Sequence, residues 1–138
     1  AVGFSSILMA EYDPVPCEIV TIENYEKRIP IARENFKRAG KEEQITLLEG
    51  DAAEILPTLT EPFDLIFMDI QMPTMNGYEA TAAIRSLKKY QTKEVPIIAM
   101  TANAFAEDVV LAKNAGMNEH IAKPLEMNRL CEIMQRYL

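Results

Sequence analysis

The chain has 138 residues, 49% hydrophobic and 25% charged, with a net charge of −7. That is one domain's worth of ordinary globular chain, with no apolar run near the ~20 residues of a membrane span and no secretory signal pattern at its start. Nucleic-acid affinity rests largely on Lys and Arg neutralising phosphates, so an acidic chain without a basic stripe is a poor candidate for that class, and no nucleic-acid partner is expected. Two cysteines, Cys17 and Cys131, are too few for a disulfide framework, and a reduced, cytoplasmic protein is the expectation.

Charge and methionine are unevenly spread. Residues 1–68 hold 13 acidic and 6 basic side chains, whereas residues 69–138 hold 8 of each. Only Met9 precedes Met68, and seven of the 8 methionines lie from Met68 onward.

In chain order, residues 5–12 (SSILMAEY) read as a helix, and Asp13-Pro14-Val15-Pro16 ends it. Residues 18–23 form a short β-branched run. Ile29, Ala32, Phe36 and Ala39 then fall at helical spacing, with Gly40 as a stop. Pro30 removes an intrahelical donor, so that helix must start near it or kink. Residues 45–49 make a second strand, and residues 52–59 a short helix after Asp51. Residues 64–69 (DLIFMD) are apolar through their middle. Helical patterns at 78–89, 105–114 and 126–138 alternate with strands at 95–101 and 120–123.

Near-continuous apolar strands suggest a parallel sheet covered on both faces. Right-handed strand–helix–strand crossovers then predict one doubly wound five-stranded α/β domain over residues 1–138. Its expected strand order is the flavodoxin-like 2-1-3-4-5, with an extra helical segment at residues 1–16. That segment is expected at an edge, or against a second copy of the chain.

Ligands of such sheets sit beyond the carboxyl ends of the strands. Those ends read Glu23 with Asn24, Asp51, Asp69, Thr101 and Lys123. Acids, a hydroxyl and an amine at one edge suit a cation and a phosphoryl group, since a carboxylate can accept a phosphoryl group as an acyl phosphate. Against this stands the fact that polar residues end strands in many unrelated α/β domains, where they merely meet water.

Four blocks give more detail: Asp69-Ile-Gln-Met-Pro73-Thr-Met75-Asn-Gly77, Pro96-Ile-Ile-Ala-Met-Thr101, Ala115-Gly-Met-Asn, and Ala122-Lys123-Pro124-Leu125. In this order they resemble the response-regulator receiver domains, from about residue 62 to residue 138. The resemblance implies that Asp69 is the phosphoacceptor, Thr101 the switch hydroxyl and Lys123 the phosphate-contacting amine, with a cis bond before Pro124. The Gln71 backbone carbonyl would join Glu23, Asn24 and Asp69 around magnesium. His120 falls at the switch-aromatic position, a departure, and reads as a packed strand residue. Asn24 stands where the family has a metal-binding acid. Magnesium prefers hard anionic oxygens, so its binding is expected to be weak. A histidine kinase is implied as partner by the resemblance alone.

Residues 1–69 resemble a different family. Gly3-Phe-Ser-Ser, Ile19-Val-Thr-Ile-Glu23, Ala32-Arg-Glu-Asn-Phe36 and Gly50-Asp51-Ala are similar to an S-adenosylmethionine-dependent O-methyltransferase. This implies vestigial cofactor positions at Gly3, Glu23 and Asp51. The first strand, the glycine loop and the substrate half are missing, so neither cofactor binding nor methyl transfer is expected. The two resemblances meet in the strand at 64–69, with a methyltransferase-like portion at 1–63 and a receiver-like portion at 70–138. On this reading the chain is an engineered hybrid scaffold without evolved activity. A working receiver is the second reading, and a residual nucleotide binder the third.

Overall fold

The computed structural model describes residues 3–72, 74–87, 95–102 and 105–138. Pro73, Lys88, Lys89, Asn103 and Ala104, which carry parts of the motifs and of one expected helix end, lie outside them, as do Ala1 and Val2.

The chain begins with α1 (Phe4–Glu11), entered through Gly3 at φ 76°. After β1 (Ile19–Glu23) comes α2 (Ile29–Arg38). Pro30 sits in its first turn, where the missing N–H would have had no helical partner anyway. Gly40 follows the helix at φ 69°, the left-handed conformation of a helix stop. Next are β2 (Ile45–Glu49), α3 (Ala52–Ile55) and a single 3₁₀ turn at Leu56–Thr58. The rest is β3 (Ile66–Asp69), α4 (Gly77–Ser86), β4 (Ile97–Thr101), α5 (Ala106–Ala115), β5 (Glu119–Ala122) and α6 (Met127–Tyr137).

Alternation along β4 shows the double winding. Ile97 and Ala99 enter one core with Ala80 and Ile84 of α4 and Ala112 of α5. Ile98 points the other way, into a core with Ile121 and with Leu130, Ile133 and Met134 of α6. Met68 is buried in the first core, and Met72 and Met75 pack against it, as expected of side chains that fill irregular space. Cys17 and Cys131 are free thiols.

All pairing is parallel, in two ladders: β1 with β2, from Ile19 opposite Ile45 to Glu23 opposite Glu49, and β3–β4–β5. The expected single five-stranded sheet is thus present as a two-stranded and a three-stranded ladder: the neighbours follow the 2-1-3-4-5 order, but no ladder joins β1 to β3.

The expectation for residues 1–16 is corrected here. α1 is neither displaced to an edge nor left for a second copy. Leu8 and Met9 are buried in the α6 core, while Ala10 is buried, and Ile7 packs, in a third core with Ala32 and Phe36 of α2 and Ile45 and Leu47 of β2. The reason is hydrophobic: Leu8 and Met9 are each worth about 1.5–3 kcal/mol when fully buried, and this groove covers both.

Glu119 fastens α6 to β5. Its carboxylate accepts from Arg129 (2.7 Å), Arg136 (2.6 Å) and the Tyr137 hydroxyl (2.9 Å). Burial alone would raise its pKa, but the bonds from Tyr137, Arg136 and Arg129 outweigh it and hold the carboxyl below its ordinary range. A group depressed on folding stabilises above its unfolded pKa, and that contribution is lost as pH falls through the lower native value. Glu119→Gln is therefore expected to lose roughly 1–2 kcal/mol near neutrality and to show a shallower stability loss on acidification. Urea unfolding midpoints at about pH 6 and about pH 3 check this, and parallel slopes for the two proteins contradict it.

Candidate functional site

Three strand ends meet at the carboxyl edge of the β3–β4–β5 ladder. Asp69 closes β3, Thr101 closes β4, and Lys123 follows β5. The Lys123 backbone N–H donates to the Thr101 carbonyl at 2.7 Å, which extends the β4–β5 ladder by one step. The Lys123 ammonium donates to Asp69 Oδ2 at 2.6 Å, and the Gln71 N–H donates to Oδ1 at 3.1 Å. The Asp69 side chain remains 35% exposed, so an incoming group can reach it. The Lys123–Pro124 bond is cis.

Thr101 is 5% exposed, and its hydroxyl has no hydrogen-bond partner among the described residues. A buried donor in that state costs free energy unless something supplies an acceptor. This is the polar group at the site whose chemistry asks for a ligand oxygen.

Gly77 opens α4 against the Asp69 strand end. Its N–H donates to the Ile70 carbonyl at 2.9 Å. A Cβ there would collide with the Asp69 carbonyl oxygen and lie 2.9 Å from Ile70 Cα. Asn76 caps the same helix by accepting from the Glu79 N–H at 2.8 Å. The sequence reading missed this close approach; the signal that could have found it is the glycine placed directly after the helix-capping Asn76.

The remaining predicted residues are placed elsewhere. Glu23 turns back on its own chain, where Oε1 accepts from the Asn24 and Tyr25 N–H groups. Asn24 is exposed. Asp51 caps α3 by accepting from the Ala53 N–H at 2.8 Å. A bond from Thr74, with that backbone bond, holds its carboxyl below the usual range. Gly3 caps α1 beside the Phe36 ring. His120 is half-buried in β5, opposite Ala99. Among the described residues no three His, Cys, Asp or Glu side chains gather as a metal cluster. No helix among them is long and apolar enough to cross a membrane.

The arrangement is a partly exposed carboxylate flanked by an amine and a buried, unpartnered hydroxyl, on a doubly wound parallel scaffold. Similarity to known proteins gives the family. The response regulator receiver domain family matches residues 19–135. The chain is 34% identical over 122 residues to the hybrid signal transduction histidine kinase L of Dictyostelium discoideum, covering 87% of this chain and 7% of that protein. It is 46% identical over 76 residues to the signal transduction histidine-protein kinase BarA of Escherichia coli, covering 55% of this chain and 8% of that one. Among solved structures, the receiver domain of sensor histidine kinase PA1611 from Pseudomonas aeruginosa, with magnesium in its active-site cleft, superposes with a TM-score of 0.61 at 30% identity, covering 89% of this chain and 98% of that one. Vibrio cholerae CheY4 shares the fold, with a TM-score of 0.64 at 24% identity, covering 90% of this chain and all of that one.

The chain belongs to the response regulator receiver domain family, on a flavodoxin-like fold. This overturns the engineered-hybrid reading and the methyltransferase portion with it. One family runs straight through the strand at 64–69, and the Dictyostelium relative aligns across most of both supposed halves. Nothing in these matches supports S-adenosylmethionine binding. An acid ending β1, a Gly-Asp after β2 and an apolar strand ending in aspartate are features that doubly wound sheets share whatever they bind. The chain spans 7% and 8% of the lengths of the two kinases named.

Proposed function

We propose that the chain is a working receiver module that accepts a phosphoryl group on Asp69 from a phosphohistidine of a histidine kinase or from a small phosphodonor. What carries the reading is the triangle of Asp69, Lys123 and the unpartnered Thr101 hydroxyl at one sheet edge. An Asp69 oxygen attacks phosphorus, the bond to the donor nitrogen or oxygen breaks, and the leaving group takes up the electron pair. Lys123 then shifts from the carboxylate to a phosphoryl oxygen, and Thr101 donates to another. The chain serves as an acceptor in a relay and not as an enzyme.

Magnesium would be held by the hard oxygen donors at the β3 end, the Asp69 carboxylate and the Gln71 carbonyl, while Glu23 ends the other ladder. Asn24 offers an amide in place of an anion, and Glu23 is turned onto its own backbone, so the affinity is low. When bound, the cation supplies charge neutralisation for the phosphoryl oxygens.

The decisive experiment incubates the protein with acetyl phosphate and magnesium and follows intact mass. A phosphoryl increment labile to hydroxylamine is expected, as for an acyl phosphate. No increment at any magnesium concentration refutes the reading. Lys123→Met is expected to slow the gain by about 10²-fold, because one positioned cationic donor is lost from the transition state. Initial rates by mass spectrometry measure it.

A further inference from the structure

We infer that α1 is a wedge that keeps β1 away from β3 and thereby limits how fully the acidic side of the pocket assembles around Asp69. The inference rests on the receiver reading for its functional meaning, though not for its structural content.

Four observations lead to it. First, α1 lies outside the family match, which begins at residue 19, the first residue of β1. Helix α1 is thus an addition to the module. Second, the sheet is divided at one place, between β1 and β3, the pair that a 2-1-3-4-5 order would join. Third, α1 sits where the two halves meet. Leu8 and Met9 enter the core of β4, β5 and α6, Ala10 and Ile7 belong to the core of α2 and β2, and Ile19 of β1 touches both. Fourth, the division separates the site. Asp69, Thr101 and Lys123 are joined by ladder and side-chain bonds, while Glu23 and Asn24 end the other ladder.

The chain leading out of α1 is pinned as well. Lys41 donates to the Ala10 carbonyl at 3.2 Å and pairs with Glu11. The Gln44 amide donates to Asp13 and to the Cys17 carbonyl. These bonds fix the wedge to the amino end of the β1–β2 ladder, away from the site.

The physical logic is a competition. All five residues of β1 are only partly buried, and so are Ile66 and Phe67 of β3, although both strands are apolar enough for a sheet interior. Unpaired strand edges of this kind gain by pairing. Helix α1 opposes that gain by burying its own apolar face between α2 and α6. If it loosens, β1 can pair with β3 in parallel, and Glu23 and Asn24 move toward Asp69.

The test uses the full chain. Leu8→Ala with Met9→Ala weakens the α6 side of the wedge. Gly3→Ala loosens its other end, because a Cβ there would meet the buried Phe36 ring. Amide hydrogen exchange of residues 19–23 and 66–69, and magnesium affinity by calorimetry, are the readouts. Both variants are expected to show exchange slowed about tenfold in those strands. Magnesium should bind about fivefold tighter. Unchanged or faster exchange there, with no tighter magnesium binding, overturns the wedge. Gly3→Ala decides the question should the double variant lose its fold.

Beryllofluoride added to the unaltered protein separates the two ideas. A wild-type response at Asp69 with no effect of the variants sinks the wedge and leaves the receiver. Slowed exchange in the variants without any beryllofluoride response does the reverse.

Discussion

Asp69→Asn is expected to fold as the parent does and to lose all response to acetyl phosphate and beryllofluoride. The amide is nearly isosteric, so the hydrogen bond from the Gln71 N–H can persist at the remaining oxygen. The ion pair with Lys123 cannot. That pair is more than a third exposed on its lysine side, and exposed pairs contribute about 0–1 kcal/mol, so global stability changes little. The chemistry changes completely, because an amide oxygen cannot form the acyl phosphate. The contrast between an unchanged urea midpoint and an abolished phosphoryl gain is what distinguishes a phosphoacceptor from a carboxylate that merely ends a strand. Residual phosphorylation in Asp69→Asn would move the acceptor elsewhere.

Gly77→Ala is expected to be the most destabilising single-methyl substitution at the site, costing about 3 kcal/mol or more. Two effects oppose each other. Alanine is the better helix former by about 1 kcal/mol in a helix interior, but Gly77 is the first residue of α4, where that advantage is small. The clash is with backbone, not with a side chain that can swing away: the Asp69 carbonyl oxygen, Ile70 Cα at 2.9 Å and the Asp69 carbonyl carbon at 3.0 Å. Relief requires α4 to lift off or β3 to retreat, and either shift moves Asp69 relative to Lys123. Chemical unfolding should show the loss. Beryllofluoride affinity should fall with it, whereas Gly40→Ala, with no neighbour near its Cβ, should leave that affinity unchanged.

The alternation of βα units was legible because it rests on local signals. Residues 95–101 read as a strand buried on both faces, and β4 is that strand, within two residues of the expected start. Gly40 and Gly116 stop helices as stop residues should. The meeting of Asp69, Thr101 and Lys123 at one edge was legible because the order of strands brings their ends together. What could not be read was the destination of α1. An apolar helix face announces that it will be buried, but not against which partner. The Glu119 network was also invisible, since its arginines and tyrosine lie ten to eighteen positions along the chain and meet it only once α6 docks. The hybrid reading failed for a related reason. Polar residues at the ends of β1 and β2 are dictated by the architecture, so they cannot discriminate between families that share it.

The Thr101 hydroxyl has a consequence for how the resting protein responds to heat. It has no acceptor among the described residues; a buried donor in that state costs about 1–3 kcal/mol, and that cost vanishes when an oxygen arrives beside it. Loading the site should therefore raise the melting temperature by more than the contacts at Asp69 and Lys123 alone would give. A local deficit of this kind links what binds at one carboxylate to the stability of the strand beside it, and calorimetry can follow loading of the site as a change in thermal tolerance.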